Sequence, residues 1–233
     1  DTAGAPADVA FDAARVGFLG HSQGANVGAL AMALEPQVGA AVFSGAGGGL
    51  LDSLADKTTP YLMANIVRLL LADPSASDFR VHPALSLIQG YLDDIEPTNY
   101  GRQVTVAPLP GSVAKNLLQI VGLGDTYAPN RTAKNLAYRW APEDRDRLNL
   151  GIYVGGTGTD FLGATDPVAT PPVKENFNGP SNIARTVVVS VHAPSPGNDG
   201  HFVLFDDPVA ERRAVAFLSD FLADPTTPPT VIP

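Results

Sequence analysis

Short runs of consecutive apolar residues alternate along this chain with longer segments of helical periodicity. That is the rhythm of buried strands separated by covering helices. Arg15-Val-Gly-Phe-Leu-Gly20 is an apolar run bounded by glycine and reads as a buried strand. Ser22 to Leu34 follows, rich in Ala and Leu, and ends at Glu35-Pro36, where proline stops a helix. Val38 to Phe43 is a second buried strand running into Ser44-Gly-Ala-Gly-Gly-Gly49. Strand, tight turn, helix, strand is the βαβ unit of a parallel sheet.

No strand pattern occurs between Gly49 and Gly101. Tyr61 to Leu71 is helical and nearly all apolar. Pro83 to Ile95 is an amphipathic helix opened by proline at a position helices favour. Glu96-Pro-Thr-Asn-Tyr100 reads as a turn. The stretch from Leu50 to about Pro110 is therefore expected to be a helical cap inserted over the sheet. Strand character returns at Asn116 to Gly122, leading into Leu123-Gly-Asp125, and a helix is predicted over Pro129 to Arg139. Gly151 to Pro180, rich in Gly, Thr and Pro, reads as a long irregular excursion. Ala184 to Val191 is the most β-branched run and a predicted strand, and Asp206 to Leu222 a closing amphipathic helix. A short helix is expected near Ala7 to Ala14, and a loose tail from Pro225. The fold class is α/β, a mostly parallel sheet flanked by helices, in one domain over residues 1–233.

Composition narrows the function. In 233 residues, 45 % are apolar and 17 % charged, enough to build a core and unlike a disordered chain. The net charge of -9 argues against nucleic acid as a partner, since phosphate binding needs a basic surface. No apolar stretch approaches the ~18 residues of a membrane span. Cysteine is absent, which removes disulfides, thiolate metal sites and a Cys nucleophile together. An acidic, Pro-rich, Cys-free chain leans toward a secreted or cell-envelope protein.

Gly20-His-Ser-Gln-Gly24 matches G-x-S-x-G between a predicted strand and a predicted helix, the context that gives this motif meaning. The turn lifts the Ser22 side chain clear of the sheet. Gly20 and Gly24 are expected where a Cβ would strike the neighbouring strand and helix. The Gln23 amide is the expected oxyanion donor, aided by the helix N-terminus. A hydroxyl needs a base, and four histidines are available. His21 lies inside the elbow, pointing by strand alternation away from the Ser22 side chain, where it supports the turn or borders substrate. His82 precedes Pro83 as a cap. His192 ends a strand, lining the site or satisfying the strand end. His201, in Gly197-Asn-Asp-Gly-His-Phe202 after the last strand, is the candidate base. The base needs a carboxylate. Asp125, just past a strand end, is the candidate, with Asp160 and Asp199 as rivals and Asp93 and Asp94 read as solvated. Neither Ser44 to Gly49 nor Gly155-Gly-Thr-Gly158 fits a phosphate-loop or dinucleotide fingerprint.

On Gly20-His-Ser-Gln-Gly24, Gly122-Leu-Gly-Asp125 and Asp199-Gly-His201, the chain resembles the α/β-hydrolase superfamily, in particular bacterial lipase- and esterase-like members, from about Asp12 to Ala223. The resemblance implies a serine esterase working through an acyl-enzyme, with no cofactor and no metal, and a cap between two sheet strands. Tyr61 and Met63, with other apolar residues of that cap, are expected to meet a small or lipid-like ester with an apolar acyl or alcohol group. Amide hydrolysis and a non-catalytic binding module on the same scaffold remain as alternatives. Family members carry several strands before the elbow, including the loop that supplies a second oxyanion N–H. None is legible here, so the chain is expected to be the C-terminal portion of a longer polypeptide, with the N-terminal portion as its partner.

Overall fold

The computed structural model describes residues 10–72, 79–140, 153–155, 161 and 171–233. Its strands are β1 (Val16–His21), β2 (Val38–Ser44), β3 (Asn116–Gly122), β4 (Tyr153–Gly155), β5 (Phe177–Asn178), β6 (Ala184–Arg185) and β7 (Val187–His192). The helices are α1 (Gln23–Leu34), α2 (Leu50–Asp56), α3 (Met63–Leu70), α4 (Pro83–Leu92), α5 (Pro97–Thr105), α6 (Asn130–Trp140), α7 (Val203–Asp206) and α8 (Pro208–Ala223). The main sheet has the order β1-β2-β3-β7-β4, and every pair in it is parallel. Side chains alternate between two cores. Phe43, Leu117, Val189 and Val191 face α1, α5 and α6, while Val42, Leu118, Ile120 and Val188 face α7 and α8. β2, β3 and β7 are covered on both faces, which is why they read as unbroken apolar runs rather than alternating ones. β1 is an edge of this sheet, with Leu19 exposed.

Most predicted elements fall where the pattern puts them. Four differ. Residues 10–14 carry no helix, and residues 7–9 lie outside the described residues. The run Ala184 to Val191 splits at Thr186: β6 turns aside to pair antiparallel with β5, and β7 alone joins the main sheet. Glu96 to Tyr100 is not a turn. Glu96 caps α5 by accepting from the Thr98 amide, and Pro97 takes the first helical position, where its missing N–H costs nothing. α5 then packs its Val104 into the core beside α1 and α6. It belongs to the layer over the sheet, whereas α2, α3 and α4 form a separate small cluster around Val67, Phe79 and Leu85. The stretch 151–180, expected to be irregular, contains β4, which joins the main sheet beside β7, and β5, paired with β6; residues 151–152, 156–160 and 162–170 lie outside the described residues. No described helix is long and apolar enough to cross a membrane.

A buried polar series ties β7 to α8. His192 Nδ1 is 2.6 Å from Asp207 Oδ2, and its Nε2 is 2.7 Å from Ser190 Oγ, to which Arg213 also donates at 2.8 Å. Asp207 in turn caps α8 through the Val209 amide. His192 therefore satisfies the strand end rather than lining the Ser22 site. Burial, partly offset by Asp207, holds the His192 imidazole below its ordinary value, so the unfolded chain takes up its proton first. Stability from this group is present above pH ~6.5 and is lost as pH falls below it. Chemical denaturation at pH 7.5 and 5.0 is expected to show lower stability at the acid end, and His192→Gln to reduce that difference. An unchanged difference in the variant would contradict this role.

Candidate active site

All three sequence-selected residues lie just past the C-terminal ends of parallel strands, where open α/β sheets place their ligands. Ser22 follows β1 with φ 55° and ψ -125°, a conformation that non-glycine residues rarely adopt. Its amide donates to Ser44 O at 2.8 Å, and its carbonyl accepts the Ala25 and Asn26 amides that begin α1. The strained turn is thus held from β2 on one side and by the first helical turn on the other. Gly20 is required as expected, because an added Cβ would lie 2.9 Å from Ala25 Cα. Gly24 is not, since a Cβ there would meet open space. Gln23 is the first residue of α1, so its N–H has no partner inside the helix, and it meets no other acceptor among the described residues.

His201 Nε2 lies 2.8 Å from Ser22 Oγ, and its Nδ1 lies 2.9 Å from Asp125 Oδ2 and 3.1 Å from Oδ1. Both His201 and Asp125 are buried. Asp125 Oδ1 also accepts the Tyr127 and Ala128 amides at 2.9 and 2.7 Å. The turn around it is pinned by Asn130, which donates to Gly122 O and accepts the Gly124 amide. Asp125 thus both orders its own turn and reaches His201.

The loop carrying His201 touches β3 backbone to backbone. A Cβ on Gly122 would stand 1.9 Å from Gly200 O, and one on Gly200 would stand 2.3 Å from Leu123 O. Only glycine at both places lets the two segments meet, so Gly200 serves close approach. Asp199, a rival for the acid, is engaged otherwise: it accepts the His201 amide at 2.8 Å and the Thr126 amide and hydroxyl at 3.2 and 2.5 Å. Burial would raise its carboxyl, but these bonds outweigh that and hold it below the usual carboxylate range. Asp160, the other rival, lies outside the described residues, as do residues 156–158 of the second glycine stretch.

The His201 ring is gripped on its faces. Tyr127 stacks on it at 4.7 Å and 23°. Gly45, at φ 55°, leaves no room for a side chain, because a Cβ would lie 2.9 Å from the imidazole. His21 sits beside it, ring centroids 4.8 Å apart, with its Nδ1 3.3 Å from Ser44 Oγ. His21 thus packs on the candidate base as well as on the strand end that holds the turn. Burial, then the neighbouring His201, lowers the His21 imidazole's affinity for a proton. His21 Nε2 is buried without a partner among the described residues. His82 caps α4 by accepting the Ala84 amide at 3.2 Å, as its place before Pro83 suggested.

A cavity of ≈ 190 Å3 opens beside Ser22 and Gln23, lined further by Asn26, Ser53, Lys57 and Tyr127 and by glycines of the stretch after β2. His21, Tyr61 and Met63, expected to meet substrate, do not line it. Tyr61 is 68 % exposed, and α3 packs on α2 rather than reaching over Ser22. Gly45 belongs to the glycine stretch Ser44 to Gly49 that the sequence places beside the elbow, whereas Tyr127, Asn26 and Lys57 were not selected from the sequence. Only Tyr127 carried a signal there, as an aromatic two residues beyond the candidate acid. Among the described residues no group of His, Asp and Glu is placed to hold a metal ion.

No protein-family model and no curated protein matches the chain. Among solved structures, a puromycin-hydrolysing peptidase of Mycobacterium tuberculosis aligns at 17 % identity with a TM-score of 0.39, over 56 % of this chain and 16 % of its own. Acetyl xylan esterase 1 from Thermoanaerobacterium aligns at 18 % identity with a TM-score of 0.44, over 80 % of this chain and 43 % of its own. An acylaminoacyl peptidase aligns at 12 % identity with a TM-score of 0.48, over 91 % of this chain and 24 % of its own. The chain thus spans less than half the length of each of these three structures.

Proposed function

We propose that this chain carries the active site of a serine hydrolase of the α/β-hydrolase type, acting on carboxylic esters through an acyl-enzyme. The observation that supports it most is the unbroken series Ser22 Oγ, His201 Nε2, His201 Nδ1, Asp125, at 2.8 Å and 2.9 Å. With Nδ1–H donating to Asp125, Nε2 is the free lone pair and accepts from the Ser22 hydroxyl. As Oγ bonds to the substrate carbonyl carbon, the proton passes to Nε2, and the charge on the imidazolium is balanced by Asp125. The carbonyl electron pair moves to oxygen, beside the Gln23 N–H at the start of α1, which meets no acceptor among the described residues. On collapse, the C–O bond to the alcohol breaks and Nε2 returns the proton to the leaving oxygen. Water then repeats both steps on the acyl-Ser22 ester, releasing the carboxylic acid.

The expected apolar substrate loses its support in the cavity. Leu62, Ile66, Leu69 and Leu70 are exposed, and none of them lines the space beside Ser22. A fluorophosphonate probe tests the proposal directly. Peptide mapping of the intact protein is expected to find the label on Ser22. Absence of label, with the protein folded, would favour a binding module that keeps the scaffold without the chemistry.

A further inference from the structure

We infer that the substrate carries an anionic group, a carboxylate, that pairs with Lys57 inside the cavity beside Ser22. The inference rests on the ester-hydrolase reading and deepens it. Lys57 is the only charged side chain lining that cavity among the described residues. No carboxylate of the described residues pairs with it: its chain neighbour Asp56 is paired with Arg80, and other acids around α2 are committed too. Asp52 holds Arg80 and Arg131 and accepts from Asn135. Glu96 accepts the Gly49, Leu50 and Thr98 amides.

Lys57 also stands at the C-terminal end of α2, its amide bonded to Ser53 O, where a cation suits the helix dipole. That effect requires no opening toward Ser22. A cation among the residues lining the nucleophile's recess does more: it raises the local concentration of an anion and orients it, and a neutral group leaves it unanswered. Of the rest of the lining, Asn26, Ser53 and Thr132 are polar while Leu50, Ala128 and Tyr127 are largely apolar, so only part of the recess suits an alkyl chain. The cavity of ≈ 190 Å3 has room for about six water-sized groups, the reach of a short dicarboxylic half-ester or a small carboxylated alcohol.

Two matched pairs of esters test this after subtraction of uncatalysed rates. In 4-nitrophenyl hemiadipate against 4-nitrophenyl hexanoate the charge lies on the acyl group. In 4-acetoxybenzoate against its methyl ester the charge lies on the alcohol. One pair is expected to show a preference for the anion in kcat/KM. Lys57→Met should lower that preference about ten- to a hundred-fold, Lys57→Glu should reverse it, and added salt should weaken it in the wild type. A ratio unaltered by both variants in both pairs overturns the inference, while turnover and Ser22 labelling leave the hydrolase reading standing. If the protein neither takes label nor cleaves any ester, the hydrolase reading fails by itself. Equilibrium dialysis of adipate against wild type and Lys57→Met then decides the anion site: salt-sensitive binding lost in the variant supports it, and equal or absent binding overturns it.

Discussion

Replacing Ser22 with alanine is expected to lower turnover of an activated ester by about four to six powers of ten and to leave the fold in place. The change removes one atom, the Oγ that faces His201 Nε2. The bonds that hold the turn are backbone bonds, from the Ser22 amide to Ser44 O and from Ala25 and Asn26 to the Ser22 carbonyl, and alanine keeps them. The strained φ of 55° is no worse for alanine than for serine. Circular dichroism and thermal melting should therefore match the parent while kcat collapses. Residual rate would come from the Gln23 N–H and from binding alone. Activity within tenfold of the parent would remove Ser22 from the chemistry.

Asp125→Asn is expected to lower kcat by about 10⁴ through the tautomer of His201. An asparagine at 125 can keep its oxygen toward the Tyr127 and Ala128 amides, as Asp125 Oδ1 does. Its NH2 then faces His201 Nδ1 where Oδ2 stood. Nδ1 must become the acceptor, the proton moves to Nε2, and Nε2 can no longer take a proton from Ser22. The turn survives, so this loss is chemical and not structural. Steady-state kinetics with a melting curve separates the two. An unimpaired Asp125→Asn enzyme would contradict the relay, and Asp199 is a poor substitute because Thr126 and the His201 amide already occupy it.

The elbow was legible because everything that makes it lies close together along the chain. An apolar run, a Gly-x-Ser-x-Gly turn and an Ala-rich helix span residues 15–34, and each is encoded by local preference. Asp125 and His201 were legible for a different reason: each follows a predicted strand, and strands of one parallel sheet end at the same rim. The misreadings also have physical causes. Glu96 to Tyr100 looked like a turn because Pro and Asn break helices. Its helix starts there because the buried Glu96 carboxylate collects the Gly49, Leu50 and Thr98 amides, two of them from the far end of the insertion. Gly24 looked sterically required by its place in the motif, yet the space above it is empty. The apolar residues from Tyr61 to Leu70 looked like a substrate wall, but hydrophobicity says only that a surface favours company, not which surface it meets.

By itself the sequence determined the parallel α/β alternation and the strained turn bearing Ser22, because strand and helix periods and turn chemistry are properties of neighbouring residues, and it narrowed the two partners to a few candidates. The tertiary structure alone decided the distances, the stacking of Tyr127 on His201, the backbone contact of Gly122 with Gly200 and the polar character of the cavity around Lys57. His201 is 76 residues from Asp125 and 179 from Ser22, and contacts across such separations follow from how whole elements pack and register. A one-residue slip of any strand would turn its side chains to the opposite face.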